Sequence, residues 1–150
     1  MKLAIGSDHG GYPLKESLKK FLQELGHEVR DFGTDSPAPV DYPDYAFLVA
    51  GAVATGEFPR GIIVDGAGIG SAIVANKLPK VRAALCNDLY AARNSREHND
   101  ANVLTLGARV IGEGLAQEIV KVFLNTDFAT RHKPRIDKIL RLEDQIYRYS

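Results

Sequence analysis

The residues best equipped for chemistry stand together in Asp65-Gly66-Ala67-Gly68-Ile69-Gly70-Ser71. Glycines at alternate positions let backbone N–H groups come close to an oxyanion, because no Cβ stands in the way. Asp65 is unexpected there, since a carboxylate repels a phosphate at contact distance, so it needs another job. Asp8-His9-Gly10-Gly11 is a second cluster, after the first apolar run. His98-Asn99 is a third, and Arg131-His132-Lys133-Pro134-Arg135 a fourth. Arg131 and Arg135 are four residues apart and bracket a helix start, a geometry suited to clamping a phosphate.

Each cluster also has a plainer reading. Gly66, Gly68 and Gly70 resemble half of a dinucleotide fingerprint, with Asp88 about 20 residues on as the ribose acid, but Ser71 replaces its third glycine and the motif follows the third strand, not the first. Asp8 suits a helix N-cap. His98, just past a helix, suits a C-terminal cap. Cys86 suits a buried core thiol. The basic run suits a solvated face.

Strands and helices alternate around these clusters. Leu3-Ala4-Ile5-Gly6, Val29-Arg30-Asp31-Phe32, Gly61-Ile62-Ile63-Val64, Val81 to Cys86 and Val103-Leu104-Thr105-Leu106 read as strands. Pro13 opens a helix with Leu14, Leu18, Phe21, Leu22 and Leu25 on one face, closed by Gly26. A Pro-rich loop runs through Tyr42-Pro43, and Ala46, Val49, Ala50 and Val53 line a second helix. Ala72 to Lys77 is a short third, and Asp88 N-caps a fourth that reaches Arg96. Leu115, Ile119, Val122 and Phe123 mark a fifth; Pro134 opens a last one with Ile136, Ile139, Leu140 and Ile146 roughly on one face. This alternation predicts an α/β fold: a three-layer α/β/α sandwich around a five-stranded parallel, Rossmann-like sheet, as one domain over 1–150. Ligands of such sheets bind beyond the carboxyl ends of the strands, so Asp8 to Gly11, Asp65 to Ser71 and Cys86-Asn87-Asp88 are expected along one rim.

The composition sets limits. The chain has 150 residues, 45% of them hydrophobic, enough for a core without disulfide or metal. Lys+Arg and Asp+Glu are both 19, which recruits neither nucleic acid nor an anionic membrane. The apolar part of Met1 to Gly6 is too short for a signal peptide, and no run approaches transmembrane length. One cysteine suits a reducing cytoplasm.

The pieces Gly6 to Gly11, Asp41-Tyr42-Pro43, Gly66 to Gly70 with Ala75-Asn76-Lys77, Ser95 to Val103, Gly107 to Gly112, and Arg131-His132 with Arg135 occur in an order that resembles one family. It is that of ribose-5-phosphate isomerase B and the galactose-6-phosphate isomerase subunits. The resemblance implies aldose–ketose isomerisation of a small phosphorylated sugar, with no cofactor and no metal. It also implies a homodimer or dimer of dimers whose sites draw on both chains, with His98 and Arg109 across the dimer from the first rim segments. Carried over by position, it gives Asp8 and His9 the sugar hydroxyls, with His9 also helping at the phosphate. Tyr42 lines the pocket; Gly66, Ala67, Gly68 and Gly70 present N–H groups to the oxygens that gain charge, with Ser71 beside them. His98 opens the furanose ring, and Asn99 positions the sugar. Arg109, Arg131 and Arg135 bind the phosphate.

Three positions depart from that pattern. The family's base is a cysteine at the position of Asp65, or a glutamate at that of Ser71, and a Thr or Ser is usual at Ala67. Asp65 is therefore expected to be the base, its donors left to the substrate, and Asp65→Asn to keep the turn's bonding while abolishing proton transfer. The alternatives are that Asp65 caps the glycine turn and the protein binds phosphosugar without turning it over, or that it isomerises a tetrose or hexose phosphate.

Overall fold

A computed structural model describes residues 1–148. Its elements are β1 (Lys2–Ser7), α1 (Tyr12–Glu24), β2 (Glu28–Asp31), α2 (Tyr42–Ala54), β3 (Arg60–Asp65) and α3 (Ile69–Ala75). Then follow β4 (Ala83–Leu85), α4 (Leu89–Glu97), β5 (Val103–Gly107), α5 (Glu113–Asn125) and α6 (Lys133–Arg148), with a 3-10 turn at Thr130–His132 before α6. The strands pair in parallel in the order β2-β1-β3-β5-β4. The three-layer parallel sandwich expected from the alternation is the fold observed.

Successive strand residues point to opposite faces, and both faces are covered. Leu3, Ile5, Ile62, Val64, Leu104 and Leu106 meet Leu14, Leu18 and Leu22 of α1 and Ile119 and Phe123 of α5. Ala4, Ile63 and Val103 meet Ala46, Val49, Ala50 and Val53 of α2. Winding reverses between β1 and β3, which pair from Leu3↔Arg60 to Ser7↔Val64. The crevice at their carboxyl ends is the position where such sheets hold ligands.

Three expectations shift. β4 is shorter than Val81 to Cys86, because side chains take its early hydrogen bonds: Arg82 N–H donates to Asn102 Oδ1 at 2.8 Å and Ala83 N–H to Asn76 Oδ1 at 2.8 Å. The core face of α5 is turned by one residue, to Ala116, Ile119, Val120 and Phe123, leaving Leu115 exposed. On α6 only Ile136 is buried, and Ile139, Leu140, Leu142 and Ile146 face outward.

Candidate active site

The expected residues form two groups at opposite ends of the sheet. At the carboxyl rim lie Asp8, His9, Tyr42, Asp65 to Ser71 and Arg109. At the amino foot lie His98, Asn99, Arg131 and Arg135. Asn102 O accepts from Gly61 N–H at the start of β3, whereas Asp65 ends that strand. Four residue steps separate the two levels, about 13 Å at a strand's rise. α4 carries His98 down to the foot because it runs antiparallel to the strands, as every crossover helix must.

The rim loop is tied from within. Asp65, 5% exposed, receives Gly68 N–H on Oδ1, and on Oδ2 both Ser71 N–H at 3.0 Å and Ser71 Oγ–H at 2.7 Å. Gly68 adopts φ +80°, and a Cβ there would meet Leu85 at 2.3 Å. Thr105 Oγ1 donates to Gly68 O at 2.7 Å, anchoring the loop to β5. The Tyr42 ring packs against the loop: a Cβ at Gly70 would meet it at 2.2 Å. Among the described residues, the N–H groups of Gly66 and Ala67 have no acceptor.

These facts correct the sequence reading in four ways. Gly68 N–H is spent on Asp65 and is not free for substrate. Ser71 is wholly buried, with its hydroxyl on Asp65, so its side chain lines the carboxylate and not the crevice. Arg109 stands beside its own chain's Gly66, to whose carbonyl its N–H donates at 3.0 Å, so it does not share a location with His98. Asparagine cannot reproduce Asp65's bonding, because both carboxylate oxygens accept from backbone N–H groups and an amide NH₂ would face one of them.

Asp8 is not the N-cap of α1, a position that Gly11 takes. Its Oδ1 accepts from Gly11 N–H at 2.9 Å, holding the turn before α1, and it lies beside Gly10. His9 Nδ1 accepts from Val40 N–H at 3.1 Å, which ties the rim to the β2–α2 loop. That loop is fixed from beneath by a residue the sequence reading missed, Lys15. Fully buried, it binds Asp31 at 2.8 and 2.9 Å and also donates to Thr34 O. Burial alone pushes the Asp31 carboxyl up, but Lys15, Lys19 and the Gly33 N–H outweigh it and hold it below its usual range. The signal for Lys15 was a lysine one residue past a core leucine, Leu14.

At the foot, side chains replace backbone. Asn99 Nδ2 donates to Asn94 Oδ1 at 3.0 Å. Arg131 meets Glu97 at 3.6 Å. His98 stacks on His132, ring centres 4.2 Å apart. Back at the carboxyl rim, after β4, Asp88 caps α4 through Ala91 N–H at 2.6 Å, so the ribose-acid reading loses its acid. Burial pushes the Cys86 thiol up to about 11, the state of an inert core thiol.

The parallel α/β sandwich, with a glycine loop and two carboxylates at its switch point and an arginine-bearing helix start at its foot, defines the class of protein. The chain belongs to the Ribose/Galactose Isomerase family, whose model matches residues 3–139. Ribose-5-phosphate isomerase B of Escherichia coli (strain K12) is 45% identical over 96% of this chain and 97% of its own. D-erythrulose-4-phosphate isomerase of Pectobacterium atrosepticum is 41% identical over 97% of each. The structure of Clostridium thermocellum ribose-5-phosphate isomerase B is 52% identical, covers 100% of both chains and superposes with a TM-score of 0.95.

Proposed function

We propose that this sugar-phosphate isomerase interconverts an aldose phosphate and its ketose through a cis-enediol, with ribose 5-phosphate and ribulose 5-phosphate the first pair to try. The observation that carries the reading is the pair of free N–H groups on Gly66 and Ala67, set beside two carboxylates at the sheet's switch point. Isomerisation needs such donors where the carbonyl oxygen gains charge. It also needs one base to move a proton between adjacent carbons. Distant phosphate contacts supply binding energy that orients those carbons.

Asp65 is the proposed base. Its three donors leave it one lone-pair direction, and the Ser71 hydroxyl, unlike a backbone N–H, can rotate. Turning that hydroxyl away frees Oδ2 to accept the carbon-bound proton. Asp8 and His9 hold the sugar hydroxyls, and Tyr42 covers the loop. His98 opens the ring, Asn99 positions the sugar, and Arg109, Arg131 and Arg135 take the phosphate, with His9 assisting.

Rim and foot of one chain cannot meet on one sugar, being a strand's length apart. The proposed assembly is therefore a dimer in which the foot of one copy closes the rim of the other. Exposed apolar residues at the rim, Tyr42, Ile69 and Ile73, fit burial in such a contact. The single buried thiol suits a reducing cytoplasm.

A second reading has its own observation. Three hydrogen bonds on Asp65 also describe a brace for the loop, in a protein that binds phosphosugars without turnover. Exchange of the C1 or C2 proton with solvent deuterium, measured over a panel of tetrose, pentose and hexose phosphates, decides. Exchange in ribose 5-phosphate supports the proposal. Exchange only in a tetrose or hexose phosphate moves the substrate, and binding without exchange in any sugar supports the brace.

A further inference from the structure

His132 lies between two of the foot's functional groups and has been given no role of its own. The residue is 7% exposed. Its Nδ1 is 2.5 Å from Arg135 Nη1, and an arginine can only donate, so Nδ1 is the acceptor and the ring proton sits on Nε2. Nε2 is buried with no partner among the described residues. A leucine or phenylalanine would fill the same space without stranding a donor, so packing does not account for a histidine here. What the histidine adds is an acceptor aimed at Arg135 and a flat face against His98, at an interplanar angle of 25°.

We propose that His132 is a positioning residue, one ring that fixes the phosphate-binding Arg135 and the ring-opening His98 at a set distance from each other. The proposal rests on the functional reading of those two residues given above. Its physical basis is that a guanidinium on a long, otherwise mobile stem loses less freedom on binding phosphate when an acceptor already orients it. The stacked ring likewise restricts His98, which sits on a helix end and is otherwise half exposed. Charge keeps the ring in its accepting form. Burial first, then His98, Arg131 and Arg135, hold the His132 imidazole below its ordinary value, with Glu97 alone opposing. A protonated His132 would lose the Nδ1 lone pair and repel Arg135.

Two variants of the full-length protein separate the two contacts. His132→Phe keeps a ring against His98 and removes the acceptor. Inorganic phosphate, measured by calorimetry and as an inhibitor, should bind about tenfold more weakly, and the KM for ribose 5-phosphate should rise alike, with kcat changed much less. His132→Asn keeps an acceptor near the place of Nδ1 and removes the stack. Phosphate affinity should stay close to wild type while kcat falls about tenfold, the cost of a misaligned catalytic group. A merely structural role would move both quantities together in both variants. That outcome, or unchanged phosphate affinity in His132→Phe, overturns the proposal. If the wild type binds phosphate but isomerises no sugar, the functional reading fails, while the phosphate arm still decides the acceptor role. If the wild type binds no phosphate, the clamp and this proposal fall together.

Discussion

Asp65 is 5% exposed and receives three hydrogen bonds, two of them from backbone N–H groups. Arg131, at the other end of the sheet, has a side chain 67% exposed and meets Glu97 at 3.6 Å. The rim is made rigid by its own loop; the foot is a set of long side chains on a surface. The difference fits the two tasks proposed for them, oxyanion donors at the rim and a phosphate clamp at the foot. Donors for a developing oxyanion act best when fixed in advance. A phosphate clamp at a contact between copies can be completed on assembly.

The largest expected effect breaks the rim. Asp65→Asn sets an amide NH₂ against a backbone N–H and strands a donor, which costs about 1–3 kcal/mol of stability. Turnover and solvent exchange should nearly vanish if Asp65 is the base; if Asp65 only braces the loop, the wild type has neither to lose and the variant shows the stability cost alone. Asp65→Cys sharpens the choice. A thiol near pKa 8.5 can take a proton but cannot bridge two N–H groups. Partial activity rising toward alkaline pH supports the base, and an inactive but folded variant supports the brace.

The next prediction concerns what holds the rim's neighbouring loop. Lys15→Met leaves the partly exposed Asp31 paired with Lys19 alone and the Thr34 carbonyl without its lysine, and should cost about 1–3 kcal/mol in urea unfolding. In the wild type the folded Asp31 carboxyl lies below 3.8, so below that value the unfolded chain binds the extra proton. The contribution is therefore complete above the unfolded value and is lost as pH falls through the folded one. The variant's stability should depend less on pH in that acid window.

At the foot, Arg131→Ala and Arg135→Ala should each weaken phosphosugar binding by about 1.5–3 kcal/mol. Thermal unfolding should move little, because Arg131 is exposed and its ion pair is a surface pair. A variant that unfolds easily but still binds would reverse the contrast drawn between the two ends. The smallest effect is at Cys86: with its thiol pushed up to about 11 and buried, native protein at neutral pH should react with a thiol reagent far more slowly than unfolded protein.

Much of this was legible in the sequence. Strand and helix periods gave the sandwich, since Leu3, Ile5, Ile62 and Val64 carry their burial in residue type. The rim's membership followed from topology. Hidden were the facts that depend on direction. Nothing in Asp65-Gly66-Ala67-Gly68 says which N–H turns inward, and one inward turn decides that Gly68 serves Asp65. Lys15 is a polar residue inside the core, paired with an acid 16 positions on, where a one-dimensional pattern reads only a helix surface. The outward apolar face of α6 looked like core because periodicity records amphipathicity and not what covers it. The split between rim and foot needed the handedness of the crossovers together with where each helix ends.

The claim that two copies complete each other's site has a direct measurement. His98→Ala carries a broken foot and Asp65→Asn a broken rim. Each should be inactive alone. Mixed in equal amounts and allowed to exchange chains, half the dimers are hybrids, and one of each hybrid's two sites joins an intact rim to an intact foot. About a quarter of wild-type isomerase activity should return. No recovery after mass spectrometry has demonstrated hybrid dimers would contradict the shared site and return both residues to a single chain.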